Sequence, residues 1–369
     1  MRKFVYLLTV LVLISTISTA AQESLSENAT VFATGLNNPR GLVFGPDGYL
    51  YVAEAGLGGT ESTDGVCEQV PPPLGPITGG FTSRISKIDA DGQLTTVAAG
   101  LPSGQTSEMT GNEVLGVADV AFVDGVLYAL IQAGCTKGHL EFPNAVVQVN
   151  EDETTPIVAD LSTYYRDNPV DFAPDEDHDV EGNPYSMISH EGVLYVVEAN
   201  HDELDRVMPD GTIERVGDIA GSIQAHVTTT AVAVGPDSNF YVGSFSPLPY
   251  VDGTAQIFQV MPEGEVSVFA SDLTTIADLV FDCNGNLYVL EASTGNILEP
   301  PFIVPGSGKI LRQSADSDTF ETVSEGLTFP TAMTFGPDNF LYVSNIGFAQ
   351  GTAVGKGEIL KVDVGVSCE

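Results

Sequence analysis

The chain has 369 residues, of which 43% are hydrophobic and 18 are Phe. This composition supplies enough apolar surface for a folded core and excludes an intrinsically disordered chain. Acidic residues outnumber basic ones by 50 to 13, which gives a formal net charge of −37. A surface of this sign repels nucleic acids and anionic membranes, so we expect neither a nucleic-acid partner nor membrane insertion.

A secretory signal peptide is predicted at residues 1–21. A basic start with Arg2 and Lys3 precedes the apolar stretch Phe4–Ile14, and small residues follow it. An uncleaved membrane anchor is the alternative, but this stretch is short against the roughly 20 residues that cross a bilayer. We therefore expect a periplasmic or secreted protein. Its net charge changes from −37 to −39 when Arg2 and Lys3 are removed.

One short phrase recurs six times along the rest of the chain. It consists of an apolar strand, a tight turn and a strand centred on Tyr. Turns such as Gly-Pro-Asp-Gly and Asn-Gly are typical of β-hairpins, and repetition at this spacing is typical of repeat proteins. The copies are RGLVFGPDGYLYVAEA (Arg40–Ala55), ADVAFVDGVLYALIQ (Ala118–Gln132), YSMISHEGVLYVVEA (Tyr185–Ala199), TAVAVGPDSNFYVGSF (Thr230–Phe245), ADLVFDCNGNLYVLEA (Ala277–Ala292) and TAMTFGPDNFLYVSN (Thr331–Asn345).

Each of the first five copies is followed by a second pair of strands. The sixth is followed by one strand only, Gly357–Val364, and the missing strand is present at the other end of the chain as Ala29–Leu36. We therefore predict an all-β fold, a six-bladed β-propeller with four antiparallel strands per blade, closed by the N-terminal strand. Residues 22–369 form one domain, which we expect to be a monomer. The second pairs lie in Ser83–Leu101, Ala145–Leu161, Leu204–Ile219, Ala255–Leu273 and Gly308–Leu327.

Export makes the four cysteines a disulfide set rather than a metal site. Cys67 and Cys135 lie in equivalent loops of adjacent blades, on one face of the ring. Cys283 lies in a turn on the opposite face, where the strand that precedes Cys368 also ends. The topology therefore predicts the bonds Cys67–Cys135 and Cys283–Cys368.

Propeller ligands are expected where the innermost strands begin, around the central channel. Arg40 is the one cation at this ring, and it can receive a ligand carboxylate or form an internal ion pair. The third residue after the Tyr of the second strand adds carboxylates at the same rim. The first positions are Arg40, Ala118, Tyr185, Thr230, Ala277 and Thr331, and the rim carboxylates are Glu54, Glu198 and Glu291.

Asp119 and Asp278 are candidate oxygen ligands for a central calcium ion, together with Glu181 and Asn183. Glu113 and His226, close to the channel mouth, are outer candidates. The alternative is that Asp and Asn at these positions accept hydrogen bonds from backbone N–H groups of neighbouring strands.

No other motif indicates a specific chemistry. The acidic run Asp175–Gly182 lacks the Gly and the final Glu of an EF-hand loop, which favours a solvated loop. The five His residues show no metal-binding spacing, and no nucleophile elbow, phosphate-binding loop or dinucleotide fingerprint is present.

The order of the distinctive segments resembles the ScyD/ScyE family, secreted propellers named from the scytonemin biosynthesis gene cluster of cyanobacteria. The resemblance covers nearly the whole mature chain, but Gly-Pro-Ile-Thr-Gly-Gly and Gly-Pro-Asp-Ser-Asn depart from the usual turns. It implies a secreted six-bladed propeller, and the family has no established catalytic residues to carry over to this chain. It rests on Val31–Gly56, Gly182–Ile188, Ile223–Tyr250, Ala277–Glu291 and Phe329–Gly347.

Three functions remain open, and the first is preferred. The first is a non-catalytic binding or scaffold propeller, with a small molecule or a protein at the channel face and calcium as a candidate cofactor. The second is a divalent-metal-dependent lactonase, although the Glu, Asn, Asn and Asp quartet of such propellers is missing from the ring. The third is an accessory enzyme of aromatic, scytonemin-like metabolism, which only the family resemblance suggests.

Overall fold

The fold is described by a computed structural model over residues 24–172, 178–348 and 354–368. The predicted signal peptide and residues 175–177 of the acidic run lie outside these ranges. Among the described residues, no helix is long and apolar enough to cross a membrane.

Six antiparallel sheets form a ring, which confirms the predicted six-bladed propeller. In blades one to three the chain runs from the innermost strand outwards. Blade one adds a fifth, two-residue strand, and its third strand starts before the predicted Ser83. The strands are β2 (Pro39–Phe44), β3 (Leu50–Glu54), β4 (Thr78–Ile88), β5 (Leu94–Gln105) and β6 (Val114–Leu115) in blade one; β7 (Val117–Val123), β8 (Val126–Ile131), β9 (Ala145–Val149) and β10 (Ile157–Asp160) in blade two; β11 (Pro184–His190), β12 (Val193–Glu198), β13 (Glu203–Val207) and β14 (Ile213–Asp218) in blade three.

Blades four and five follow the same order, and the N-terminal strand β1 completes blade six. β1 pairs antiparallel with the last strand, with Ala29 opposite Val362 and Leu36 opposite Gly357, so the predicted closure is confirmed. The strands are β15 (Thr229–Val234), β16 (Phe240–Ser244), β17 (Ala255–Val260) and β18 (Val266–Leu273); β19 (Ile276–Phe281), β20 (Leu287–Glu291), β21 (Gly308–Gln313) and β22 (Phe320–Leu327); β23 (Ala332–Phe335), β24 (Leu341–Asn345), β25 (Gly357–Val362) and β1 (Ala29–Leu36).

Short helices follow the outermost strands of blades two and three. They are α1 (Leu161–Asp167) and α2 (Ile219–Ile223), and a preceding Asp, Asp160 or Asp218, accepts a backbone N–H of the first turn in each. Two 3₁₀ turns, Glu108–Thr110 and Cys135–Lys137, lie in loops.

A side-chain contact explains why the Gly-Pro-Asp turn recurs before a strand that contains Tyr. In blade one the Tyr51 hydroxyl donates to Asp47 at 2.9 Å, which fastens the second strand to its turn. A Cβ atom on Gly45 would lie 2.6 Å from the Tyr51 ring, so only glycine leaves room for that ring. Blades four and six repeat the contact with Tyr241–Asp237 and Tyr342–Asp338.

Both predicted disulfides are present. Cys67 and Cys135 have Cα atoms 6.1 Å apart and are 68 residues apart in sequence, while Cys283 and Cys368 are 5.9 Å and 85 residues apart. Loops of this length correspond to about 4–5 kcal/mol of stabilisation each in the chain-entropy description. Two disulfides are typical of proteins in an oxidising compartment.

Candidate functional site

The innermost strands of five blades carry a β-bulge close to their first residues. In blade one the register between β2 and β3 jumps from Pro39–Glu54 to Leu42–Val52. A bulge turns a side chain out of the regular alternation of a strand, here at the rim of the channel. The residues inside the bulges are those that the sequence alignment placed at the first position of these strands: Arg40, Ala118, Tyr185, Thr230 and Ala277.

Two cavities lie along the central channel, and Arg40 and Tyr185 line both of them. The mouth cavity, about 260 Å³, opens among the loops on the face that the sequence analysis assigned to ligands. The inner cavity, about 340 Å³, is lined by the innermost strands of all six blades. The mouth cavity is mainly apolar, with Tyr185, Phe245, Tyr250, Phe348, Leu74, Ile77, Leu115 and Leu248 in its wall.

Arg40 lines both cavities. Its side chain is buried, with 2% of the residue exposed, and its guanidinium carbon lies 4.9 Å from the Tyr185 ring centre and 4.8 Å from that of Phe348. The Arg40 carbonyl accepts the Ser344 hydroxyl at 2.6 Å, which fixes its backbone to blade six. Neither Nη1 nor Nη2 has a hydrogen-bond partner among the described residues. Arg40 is thus a stacked guanidinium with unused donors.

The carboxyl groups around Arg40 are easily neutralised. Burial raises the pKa of Glu113 to about 7, and the nearby Arg40 charge offsets only part of this effect. Burial also raises the pKa of Asp119 to about 7, although backbone N–H groups and Arg40 lower it. Near neutral pH, neither group is a strong permanent counter-ion for Arg40.

Asp119 and Asp278 lie in equivalent positions of blades two and five, three blades apart in the ring. Asp119 accepts the N–H of Val120 at 2.8 Å and, from the next blade, that of Met187 at 2.7 Å. Asp278 accepts Leu279 N–H at 2.8 Å and Met333 N–H at 2.6 Å in the same way. Both carboxylates therefore join neighbouring innermost strands, as the backbone-capping alternative describes.

The other two calcium candidates do not join this pair. Glu181 accepts the N–H of Cys135 at 2.8 Å and lies 3.4 Å from Arg166, away from the residues that line the cavities. Asn183 lines the mouth cavity, and its side-chain oxygen accepts a hydrogen bond from the side-chain amide of Gln132 at 2.9 Å. The four candidates thus do not converge on one point, and a central calcium ion stays a prediction.

The rim carboxylates Glu54, Glu198 and Glu291 are buried at the ends of their strands and line neither cavity. Each accepts a backbone N–H from the loop that leads into its own blade, and Glu54 and Glu291 also pair with a cation of the third strand. This geometry gives them a structural role in every blade where they occur. Their predicted part in ligand binding gains no support from it.

His226, by contrast, lies in the wall of the mouth cavity. Its Nδ1 is 2.6 Å from the buried Asp202 carboxylate, and its Nε2 is 3.3 Å from the Thr228 hydroxyl. Burial opposes protonation of His226, but hydrogen bonding to Asp202 and its charge raise the pKa overall. The mouth cavity therefore contains an oriented imidazole as well as the guanidinium of Arg40.

Sequence reasoning missed the aromatic wall of this cavity. Phe348 follows the sixth copy of the repeat, and Tyr250 ends the Ser-Pro-Leu-Pro-Tyr loop, so neither falls at a repeated position. The available signal was that apolar rings sit in two loops on the ligand face, where exposure would otherwise be costly.

Comparisons with known proteins show the fold but not a family. No family model matches the chain, and no curated protein matches it. A putative oxidoreductase (glucose dehydrogenase) from Thermus thermophilus matches with 17% identity and a TM-score of 0.58, over 92% of this chain and 100% of that one. A gluconolactonase from Xanthomonas campestris matches with 11% identity and a TM-score of 0.54, over 91% and 89%.

A third structure is the PQQ-bound aldose sugar dehydrogenase from Streptomyces coelicolor, with 13% identity and a TM-score of 0.54, over 91% of this chain and 98% of that one. At these identities the likeness is one of architecture. The function has to be argued from the residues of this channel.

Proposed function

We propose that this protein is an exported small-molecule binding propeller, whose ligand carries a carboxylate on a flat apolar body. One observation carries the proposal: the buried, stacked guanidinium of Arg40 has two nitrogens without hydrogen-bond partners among the described residues, at the base of the mouth cavity. An unpaired buried charge is costly, and a carboxylate is the group that a guanidinium binds through two parallel hydrogen bonds.

The rest of the cavity supports an aromatic ligand of modest size. Its volume of about 260 Å³ lies just below the usual range of ligand pockets, roughly 300–1,000 Å³, which favours a molecule of one or two rings. Phe245, Tyr250 and Phe348 offer ring faces and edges, with Phe245 and Tyr250 centres 5.0 Å apart. Aromatic pairs of this kind add stabilisation beyond the burial of apolar area.

The proposal is tested with 2-naphthoate and its uncharged amide. Because the chain contains no Trp, naphthoate fluorescence is not masked by the protein. We expect saturable binding of the acid, at least about tenfold tighter than binding of the amide, because only the acid forms charge-assisted bonds with Arg40. Equal affinities, or binding that the Arg40→Met substitution leaves unchanged, would contradict the proposal.

A second candidate, acid–base chemistry on a bound lactone, is favoured by the contact between His226 and Asp202. A histidine oriented by a buried carboxylate is a common general acid or base. Dihydrocoumarin is a suitable probe because its hydrolysis yields 3-(2-hydroxyphenyl)propanoate, a carboxylate attached to an aromatic ring through a short chain, which Arg40 can hold. Turnover that disappears in His226→Gln would support this candidate, and absence of turnover in the wild-type protein would remove it.

A further inference from the structure

Blade three buries three carboxylates on one face, away from the channel. Glu198 ends β12 and lies directly opposite Glu203, which begins β13. Asp205 follows two residues later and therefore shares the face of Glu203. These residues are 0%, 1% and 0% exposed, respectively.

Their hydrogen bonds leave three oxygens unused. Glu198 accepts N–H groups of Asn200 at 2.8 Å and of His201 at 2.6 Å, and a third from the preceding loop. Glu203 binds Arg215 through Oε2, while its Oε1 has no partner among the described residues. Neither oxygen of Asp205 has a partner there. Blade three thus presents three unsatisfied carboxylate oxygens in a dry environment.

Tyr165, in helix α1 of blade two, completes this cluster from the opposite side. It is 2% exposed, and its hydroxyl also lacks a partner with hydrogen-bond geometry among the described residues. Burial raises the pKa of Tyr165, and the charges of Asp205, Glu198 and Glu203 raise it further, so the phenol lies within electrostatic range of all three. A Cβ atom on Gly182 would lie 2.5 Å from the Tyr165 ring and 3.1 Å from Glu198 Oε1, so glycine permits this close approach.

Three carboxyl groups share two basic partners in this cluster, and burial raises the pKa of Glu203 to about 7. Arg215 is the guanidinium paired with Glu203, and His201 Nδ1 lies 3.3 Å from Glu198. Burial and the charge of Glu203 raise the pKa of Asp205, and Tyr165, as a hydrogen-bond donor close to Asp205, offsets only part of this effect. Among the described residues, the distances and angles of a hydrogen bond are nevertheless not met at Glu203 Oε1, at Asp205 or at the phenol. Buried oxygens without hydrogen-bond partners are donors that a bound cation would satisfy.

We propose that Glu203, Asp205 and Tyr165 bind a divalent cation between blades two and three, with Glu198 beside it. Donor atoms of Glu198, His201 and Glu203 all lie within 4.8 Å of one another, so Glu203 belongs to a group of donors that one ion can span, and Asp205, two residues along the same strand and on the same face, would extend this group. The unused donors are all oxygens, which favours a hard cation such as Ca²⁺. This site is independent of the channel and of the ligand proposed for Arg40.

The first measurement is calcium binding by the mature protein after treatment with a chelator. We expect one high-affinity equivalent by equilibrium dialysis. We also expect the melting temperature to rise by about 4 °C when calcium is at a hundredfold excess over its dissociation constant. Asp205→Asn should weaken the affinity at least about 100-fold, because it removes one ligand charge and one carboxylate oxygen. The control Asp316→Asn removes an equal charge from an exposed turn and should change neither quantity.

A second measurement is terbium luminescence, which is informative here because the chain contains no Trp. Terbium replaces calcium in oxygen sites, and here only Tyr can sensitise its emission. Calcium should displace terbium and quench the emission, and Tyr165→Phe should remove most of the emission per bound ion. Tyr342→Phe, in blade six, is the matched control.

Three results would overturn the proposal. They are absence of a stoichiometric calcium equivalent in the wild-type protein, terbium emission unchanged by Tyr165→Phe, and loss of binding in the double variant Asp119→Asn with Asp278→Asn but not in Asp205→Asn. The last result would place the ion in the channel. Naphthoate binding tests the proposed function separately, so the two ideas fail independently.

Discussion

The substitution Arg40→Met distinguishes a ligand receptor from a structural ion pair. In the folded protein Arg40 has two stacking contacts, each worth about 1–2 kcal/mol when desolvated. Against this stands the cost of burying a guanidinium whose Nη atoms are unpaired among the described residues, several kcal/mol. These terms oppose each other, so we expect the free energy of unfolding at pH 6 to change by less than about 1 kcal/mol.

Arg84→Met is the matched control, because Arg84 forms an internal ion pair. Its Nε lies 2.6 Å from Glu54, which is 0% exposed. Removal of Arg84 leaves that carboxylate without its cation, and we expect a loss of about 3 kcal/mol, or about 4 °C in melting temperature for a domain of this size. Thermal unfolding of both variants at pH 6 provides the comparison.

Ligand binding should be weakened by Arg40→Met and not by Arg84→Met, the reverse of the expected effects on stability. Loss of a charge-assisted pair worth about 1.5–3 kcal/mol weakens 2-naphthoate binding about 10–150-fold in Arg40→Met. Arg84→Met should retain the affinity, since Arg84 lines neither cavity. If Arg40→Met were as destabilised as Arg84→Met, or retained full naphthoate affinity, the assignment of Arg40 as the anion receptor would be wrong.

Three further predictions concern the channel and the closure of the ring. Gly41→Ala should lower both stability and naphthoate affinity, because the new Cβ would lie 1.7 Å from Asp119 Oδ1; an unchanged melting temperature would count against this packing. Naphthoate affinity should fall as pH rises through about 7, because Glu113 ionises there and its carboxylate competes with the ligand for Arg40. Glu113→Gln should flatten this pH profile and leave only the part that is due to Asp119. Deletion of Ala29–Leu36 should expose the edge of blade six and abolish cooperative unfolding, as monitored by calorimetry.

The fold was predictable because the copies of the repeat share local causes. In blades one, four and six a glycine, an aspartate and a tyrosine recur at fixed spacing, and the structure shows the hydrogen bond that needs all three, as between Tyr51 and Asp47. The disulfide pairing followed from the alternation of strand direction. Fold and pairing thus depended on features that one sequence displays several times.

The site was predictable only where it coincided with the repeat. The alignment identified Arg40 as a channel residue, but the bulge that turns it inwards is a departure from regular pairing. Phe348 belongs to a single loop and has no counterpart in the other copies. Glu54 shows the converse, because a repeated carboxylate at the channel rim turned out to bind loop backbone and Arg84. The position in the repeat therefore predicted which residues lie at the channel rim, whereas the direction of each side chain determines whether it faces the channel or binds the backbone.

The same distinction separates the carboxylates of this acidic protein by their partners. Asp119 and Asp278 each accept two backbone N–H groups, so their charge is used to join neighbouring blades. Asp205 is more deeply buried, at 0% exposed, but accepts none from the described residues. Since a buried carboxylate needs hydrogen bonds, a counter-ion or a proton, unsatisfied oxygens are a better guide to a cation site than acidic residues at a channel. We therefore expect the cation at blade three and the anionic ligand at the guanidinium of Arg40, whose Nη atoms are unpaired among the described residues.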